Sequence, residues 1–361
     1  MKHAEVAIAG AGIIGLSVAL ELASAGRRVT VFERQQAMSE SSGAAAGMIA
    51  AGDPENSPAL RPLAELSRAL YPQFLTRVAQ LSGMPIPVRT TQTIQGATRI
   101  PRGLCELHPA MLNALAPEIE AGSLKFFLLE EQSLNPRDLA PALPRAARTA
   151  GVVLHEECPV LSVRHNGGSV EITTAQGDWT ADTLIYATGA WTAGLTGIPS
   201  TPRKGQMVEV YLPGPRELEV VLRTPEIYLV PRGHGRIVIG ATVEEAGFDK
   251  QVDGIAIAGL IETATALWPP LRGAAIVDSW AGLRPASPDG LPIIDALDNC
   301  RGFAAADSRA ARTWAATGHF RNGILLAPAT ALLLRQMILG EPLSVDPSPF
   351  RCDRFAFSSV Q

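Results

Sequence analysis

The chain has 361 residues, 47% hydrophobic and 18% charged, a composition typical of a globular protein with material for one or two cores. Its net charge is −4 and it has no long basic run, which argues against nucleic acid as a partner. The four cysteines are far apart and include no C-x-x-C pair, so we expect free thiols in a reducing, cytoplasmic compartment, with no metal site and no disulfide framework.

The first predicted elements are a strand, a glycine turn, a helix and a second strand. Residues 5–9 (EVAIA) have the pattern of a buried strand, residues 14–25 that of a helix ended by Gly26, and residues 27–32 that of another strand. A leader peptide would also match this apolar stretch. The glycine spacing inside it favours a strand–turn–helix unit of the folded protein over a leader peptide.

That spacing is G-x-G-x-x-G, at Gly10, Gly12 and Gly15. In a strand–turn–helix unit the first glycine permits the turn, the second lets the backbone approach a pyrophosphate, and the third allows close packing. Glu33, at the end of the second strand, can accept hydrogen bonds from ribose hydroxyls and disfavours NADP. The pattern predicts dinucleotide binding over a plain glycine-rich turn, but does not separate FAD from NAD.

Residues 39–48 (SESSGAAAGM) form a run of small residues. Small side chains let a backbone press against a flat ligand, and the hydroxyls and amides can reach phosphate oxygens. A flexible loop without a ligand is the alternative.

Further along the chain, periodicity and turn residues predict alternating helices and strands. Helices are expected at 58–81, 107–115, 136–149, 255–268 and from about Asn322 onward. Strands are expected as a pair within 86–100, at 125–129, as two within 151–163, as a hairpin of 169–174 with 177–181, as a separate strand from 182 to the Gly189 turn, and at 206–211, 218–222, 227–231, 236–240 and 275–283. No membrane span is expected.

The β–α–β units at both ends and in the middle predict an α/β fold in which one discontinuous Rossmann-like domain carries an inserted, largely antiparallel α+β lobe. The nucleotide-binding domain is expected in 1–85, 135–200 and 276–361, and the substrate domain in 86–134 and 201–275.

The motifs GAGIIG with Glu33, SSGAAAGM, ATGAW, IYLVPR, WAGLRP, PDGLPIID and GHFRNGILLAP occur in this order. With them, over nearly its whole length, the chain resembles the D-amino acid oxidase family of flavoproteins, and within it the glycine oxidases of thiamine synthesis. The resemblance implies non-covalent FAD, oxidation of an amine, dioxygen as acceptor and a homo-oligomer, with a tetramer as the family state. No membrane partner is implied.

By the same resemblance, two segments are expected to hold FAD. The N-terminal contacts would be Gly10, Gly12, Ile13, Ile14, Gly15, Glu33, Arg34, Ser41, Ser42, Ala46, Gly47 and Met48, with Val160 at the adenosine and Gly189 of ATGAW. The segment along the flavin ring would be His319, Phe320, Arg321, Asn322, Gly323, Ile324 and Leu325. A helix that begins near Asn322 would direct its positive end at the flavin N1–C2=O edge, where reduced flavin is negative.

Four residues are expected at the substrate. Arg284 matches the family's carboxylate-binding arginine, and a guanidinium binds a carboxylate in a bidentate manner. Tyr228 matches a tyrosine that hydrogen-bonds the same carboxylate, while Arg321 and Met48 match residues near the pocket. The alternatives are an interdomain ion pair for Arg284 and a satisfied core hydroxyl for Tyr228.

Two departures from the family pattern bear on specificity. Val243 stands where glycine oxidase has a methionine, which leaves glycine, sarcosine and D-alanine open as substrates. A polar link over residues 298–313 is longer than usual and has no assigned role. Its Cys300 does not resemble a flavin-linking cysteine.

The implied reaction is oxidation of a small amine to the imino acid and then to glyoxylate or another 2-oxo acid, with hydrogen peroxide as co-product. One rival is a D-amino acid dehydrogenase that uses an acceptor other than dioxygen. A second is a flavin-binding protein without turnover, and a third is an NAD-dependent dehydrogenase.

Overall fold

The computed structural model describes residues 1–166, 168–214, 217–300 and 312–355. Its strands are, in chain order, β1 Lys2–Ala9, β2 Val29–Phe32, β3 Met48–Ile49, β4 Val88–Thr90, β5 Thr93–Ala97, β6 Lys125–Leu129, β7 Gln132–Leu134, β8 Val153–His155, β9 Val160–Asn166, β10 Ser169–Thr174, β11 Gly177–Tyr186, β12 Thr201–Tyr211, β13 Val221–Arg223, β14 Tyr228–Gly233, β15 Arg236–Gly240, β16 Ala275–Ala286, β17 Ile293–Ala296 and β18 Arg312–Thr317. Its α-helices are α1 Ile13–Ser24, α2 Ser41–Ala44, α3 Arg61–Ser82, α4 Pro109–Leu115, α5 Pro136–Thr149, α6 Thr192–Thr196, α7 Gly254–Leu267 and α8 Gly323–Leu339.

The N-terminal strand lies in the middle of the first large sheet, whose main path runs β17-β18-β11-β1-β2-β8. β1 pairs in parallel with β2 and β11, which is the arrangement that the strand–turn–helix pattern predicts. Apolar faces of α1, α3, α5 and α8 pack against one another and against this sheet to form the largest core. The carboxyl ends of parallel strands in such a sheet are where ligands bind.

The second large sheet has the order β16-β12-β15-β14-β13-β5-β6 and is antiparallel except between β13 and β5. α7 closes a separate core on this sheet, with Trp268 fully buried in it. A small sheet, β3-β7-β4, connects the two layers. The mixed α/β fold is therefore confirmed, whereas the domain boundaries stay a prediction.

Three local expectations were wrong. The strands within 86–100 do not pair with each other, since β4 pairs with β7 and β5 with β6 and β13. The expected hairpin arm at 177–181 and the strand after it are one continuous strand, β11, because no turn residue separates them. Cys300 and Cys352 form a disulfide, with their Cα atoms 5.3 Å apart, against the expectation of free thiols.

One helical stretch of the described residues, Phe320–Leu339, meets the length and composition of a membrane span. Of that window, 67% is buried inside the protein, where it packs against α1 and α3. An all-round apolar helix is expected at the centre of a large core. The polar link expected at 298–313 lies mostly outside the described residues.

Candidate functional site

A cavity of about 590 Å³ lies between the first sheet and the second. Among its lining residues are most of those that the sequence indicates: Gly10, Gly12, Ile13, Ile14, Glu33, Arg34, Ser41, Ser42, Ala46, Gly47, Met48, Val160, Gly189, Tyr228, Arg284, His319, Phe320, Arg321, Asn322, Gly323 and Ile324. Gly15 and Leu325 are the exceptions. The fold thus brings two sequence-distant candidate segments and the substrate candidates to one place.

The glycine turn shows why Gly15 matters without lining the cavity. A Cβ on Gly15 would lie 2.0 Å from the carbonyl oxygen of Gly10, so a side chain cannot be accommodated there. Gly10 itself has φ +103°, and a Cβ on it would lie 2.4 Å from the carbonyl oxygen of Ala187. Both glycines are required for close packing of the turn, which leaves the Gly12 backbone at the cavity.

Glu33 is held in place at the end of β2 by two backbone amides. Its Oε2 accepts a hydrogen bond from Ala11 N at 2.7 Å and its Oε1 accepts one from Gln35 N at 3.0 Å. The residue is only 8% exposed and lines the cavity. A buried carboxylate fixed in this way is oriented to accept hydrogen bonds from ribose hydroxyls.

The small-residue run folds as α2 followed by β3 and borders the cavity beside the glycine turn. The hydroxyl of Ser42 accepts a hydrogen bond from Ile13 N at 2.9 Å, which ties the run to the start of α1. Gly47 has φ +83°, and a Cβ on it would lie 2.0 Å from the carbonyl oxygen of Leu134. The backbone around Gly47 can therefore approach a flat ligand closely.

Beyond Glu33, the guanidinium of Arg34 stacks on the ring of Trp191 at 3.4 Å and pairs with Glu40. Trp191 lines the cavity but was not among the predicted contacts. Together, the glycine turn at a helix N-terminus, the fixed Glu33 carboxylate and the cavity that both line fit FAD.

The C-terminal segment reaches the cavity through a single turn, Phe320–Asn322, and α8 then begins at Gly323. Asn322 is the N-cap of α8 and its side chain caps no amide, and Asn322, Gly323 and Ile324 line the cavity, so the helix begins at the cavity. Leu325 points into the main core and is 1% exposed, which corrects its expected contact with FAD. The helix start thus supports the predicted placement at the flavin edge.

His319 lines the cavity and is 2% exposed, with its Nε2 3.1 Å from the hydroxyl oxygen of Thr330. Burial lowers the pKa of His319 to about 3. The imidazole is therefore neutral at physiological pH and adds no positive charge beside the cofactor.

Arg284 and Tyr228 face each other across β12 and β15. Nη1 of Arg284 donates to the carbonyl oxygen of Thr242 at 3.0 Å, which leaves the rest of the guanidinium available to a ligand. Burial raises the pKa of Tyr228, and the charge and hydrogen bonding of Arg284 oppose that rise. The two side chains are close enough to bind one carboxylate together.

Arg321 differs from its expected role because its guanidinium is already paired. It forms an ion pair with Glu55, and its Nη2 lies 3.4 Å from Oδ2 of Asp53. Arg321 still lines the cavity. Its charge there is largely compensated.

Asp53 belongs to a buried cluster of charged residues that was not predicted from the sequence. Arg223, 6% exposed, places Nη1 3.7 Å from Asp53 and Nη2 3.0 Å from Glu131, and its Nε donates to Gln95. Burial raises the pKa of Glu131, and Arg223 opposes that rise. β13 pairs with β14 so that Arg223 lies directly opposite Tyr228. The sequence feature that could have indicated this cluster is Arg223 itself, a charged residue in an otherwise apolar strand.

Val243 lines the cavity but is 64% exposed, so it lies at the mouth and does not close the pocket.

The model of the family described as FAD dependent oxidoreductase matches residues 5–337. The chain is 33% identical to a glycine oxidase of Pseudomonas aeruginosa, over 96% of this chain and 97% of that protein. It is 34% identical to a bifunctional protein ThiO/ThiG of Trichormus variabilis, over 97% of this chain and 55% of that protein. The crystal structure of glycine oxidase from Geobacillus kaustophilus superposes with a TM-score of 0.89 at 30% identity and covers 99% of this chain and 100% of that one.

Proposed function

The chain belongs to the family of FAD-dependent oxidoreductases, and on that premise we propose that it catalyses the oxidative deamination of glycine and related small amines such as sarcosine and D-alanine. Flavin-dependent oxidation of an amino acid is the activity of the family branch it matches. The observation that carries the choice of substrate is the placement of Arg284 and Tyr228 in the cavity that the glycine turn also lines.

In the proposed reaction Arg284 and Tyr228 hold the substrate carboxylate, which orients the amine and the α-carbon toward the cofactor side of the cavity. FAD, held by the glycine turn, Glu33 and the small-residue run, would supply a two-electron acceptor for the hydride of the α-carbon, with dioxygen as the terminal oxidant and hydrogen peroxide as its product. The remaining imino acid reacts with water to give glyoxylate or another 2-oxo acid, and releases ammonia from glycine or D-alanine and methylamine from sarcosine. Positioning and charge placement account for the rate, and no side chain needs to act as a base at carbon.

The similarity to a bifunctional ThiO/ThiG protein supports a place in thiamine thiazole synthesis. The imino acid, or its hydrolysis product, would be the compound delivered. Cytoplasmic location and assembly as a homotetramer belong to the same proposal, as do the domain boundaries at residues 85, 134, 200 and 275.

Non-covalent attachment of FAD is also proposed. Cys300 is engaged in a disulfide with Cys352, and neither Cys105 nor Cys158 lines the cavity. No cysteine of the described residues is thus available at the cavity for a flavin linkage.

The test is the visible spectrum of the purified protein before and after anaerobic addition of glycine, followed by air. We expect flavin bands that bleach with glycine and return in air with formation of peroxide. Bleaching by D-alanine or sarcosine alone would change the substrate within the family, and bleaching without return in air would favour a dehydrogenase. A protein that takes up no FAD, or an Arg284→Ala variant with an unchanged KM for glycine, would contradict the proposal.

A further inference from the structure

The arginine of the IYLVPR motif, Arg232, makes contacts that the proposed reaction does not yet use. Its Nη1 donates to the carbonyl oxygen of Leu134 at 3.1 Å, and its Nη2 donates to the carbonyl oxygen of Ala46 at 2.6 Å. The side chain is buried, with 7% exposed. One guanidinium therefore connects two backbone segments that are far apart in the sequence.

Those two carbonyls lie on either side of Gly47, the residue of the small-residue run that packs most closely against the neighbouring backbone. Leu134 N donates to the carbonyl oxygen of Gly47 at 2.9 Å, and β3 continues from there in register with β7. Ala46, Gly47 and Met48 line the cavity. Arg232 thus bonds to one side of this turn, and the other side of the turn borders the cavity.

The strand that supplies Arg232 also supplies Tyr228. Both residues belong to β14, four positions apart, so their backbones are about 13 Å from each other at ~3.3 Å per residue, with Arg232 at the irregularity where the pairing with β15 shifts register between Pro231 and Gly233. One strand therefore carries the proposed substrate contact, Tyr228, at one end and the arginine that bonds to the turn, Arg232, at the other.

The guanidinium is an unusual group for this position. Burial lowers the pKa of Arg232 to about 10; Glu209 opposes this effect, while Arg137 and Arg89 add to it. Arg232 remains charged at neutral pH, and the carboxylate of Glu209 is engaged by Arg137 and Arg236. A buried cation bonded to carbonyl oxygens has a planar fork geometry that neither lysine nor an apolar residue reproduces.

We propose that Arg232 is a positioning residue that fixes the turn Ala46–Met48 against the strand of Tyr228 and thereby sets the spacing between FAD and the amine. The effect on amine oxidation rests on the proposed function. The effect on FAD binding does not, because it needs only the cavity and the turn.

The experiment compares Arg232→Gln and Arg232→Lys with Arg236→Gln. Arg236, on the neighbouring β15, is half exposed and pairs with the same Glu209 at 3.1 Å, but the structure gives it no contact with the turn. Two quantities are measured: the dissociation constant of FAD, from fluorescence released on dilution of the holoprotein, and the rate of anaerobic flavin reduction as a function of glycine concentration.

For Arg232→Gln we expect the FAD dissociation constant to rise about tenfold or more and the limiting reduction rate to fall by about ten- to hundredfold, because a displacement of about 1 Å can cost a factor of about a hundred. The glycine concentration for half-maximal rate should change less than about threefold, since Arg284 and Tyr228 are intact. Arg232→Lys should be intermediate and Arg236→Gln unchanged.

Wild-type FAD affinity and limiting rate in folded Arg232→Gln would overturn the proposal, as would equal losses in Arg236→Gln. If Arg232→Gln does not fold, Arg232→Lys decides in the same assays. If no amine reduces the wild-type flavin, the proposed function fails, and the FAD dissociation constants alone decide on the role of Arg232.

Discussion

The guanidinium of Arg284 lies directly over the backbone of Gly205. A Cβ on Gly205 would be 2.1 Å from Nη1 of Arg284 and 2.3 Å from its Cζ. These residues lie on the paired strands β12 and β16, so the sheet register decides that the arginine has no side chain beneath it. Arg284, the proposed binder of the substrate carboxylate, can occupy this position only because residue 205 has no side chain.

Gly205→Ala should therefore displace Arg284 without unfolding the protein, because a long side chain can move more easily than backbone. We expect the KM for glycine to rise about ten- to hundredfold, the equivalent of the ~1.5–3 kcal/mol of a charged hydrogen bond. FAD affinity should not change. The control is Gly259→Ala on the exposed face of α7, where a Cβ meets nothing within 4 Å. An unchanged KM in Gly205→Ala would separate Arg284 from substrate binding.

Glu33→Gln should weaken FAD binding. The amide keeps the shape of the carboxylate but accepts hydrogen bonds less strongly and must turn one NH₂ toward Ala11 N or Gln35 N. We expect the FAD dissociation constant to rise about tenfold, as for a charged hydrogen bond, with the KM for glycine at saturating FAD unchanged. Glu5→Gln, in which the altered carboxylate pairs with Arg27, serves as control. Wild-type affinity in Glu33→Gln would argue against a ribose contact.

Asp53→Asn should destabilise the fold, because it removes a carboxylate shared by Arg223 and Arg321 and leaves Arg223 with Glu131 as its remaining anion. Loss of one partner from a buried ion group costs about 3 kcal/mol or more. The matched control is Asp249→Asn: Asp249 also lies 3.7 Å from a cation, Lys204, but is 52% exposed. Urea unfolding of both variants measures the difference. Equal effects would mean that burial of the Asp53 group is unimportant.

His319 predicts a pH dependence of stability. Its folded pKa of about 3 lies below the unfolded value near 6.5, so the unfolded chain binds the additional proton between these limits. The contribution of neutral His319 is complete above about pH 6.5 and is lost as the pH falls toward 3. From pH 7 to pH 5 the wild type should lose about 2 kcal/mol more than His319→Gln. Urea unfolding at the two pH values checks this, and parallel losses would contradict it.

The disulfide between Cys300 and Cys352 closes a loop with a sequence separation of 52 residues. Titration of the unfolded, unreduced protein should detect two thiols, from Cys105 and Cys158, and four after reduction. Reduction should lower the free energy of unfolding by about 2–4 kcal/mol, and the Cys300→Ser, Cys352→Ser double variant should be insensitive to reductant. Four thiols before reduction would restore the expectation of free cysteines.

Local sequence patterns predicted the helices and strands whose apolar residues recur at a regular spacing or whose ends carry a capping residue. α5 begins and ends where the sequence indicates, since Asn135 accepts a hydrogen bond from Arg137 N as its N-cap. The strand pair expected within 86–100 failed because pairing partners are chosen by tertiary packing. β5 is buried between β6 and β13, which come from elsewhere in the chain.

The sequence by itself determined the chemistry of the cofactor end, because the glycine turn and Glu33 act within one strand–turn–helix–strand unit of about 30 residues. Only the tertiary structure decided the substrate end and its support. Arg284, Tyr228, Arg223 and Arg232 come from three strands of one sheet, and the order and register of its strands bring Tyr228 and Arg284 to one cavity and place Arg223 opposite Tyr228. The physical reason is that a turn follows from local backbone conformations, whereas register follows from which distant strands bury their faces together.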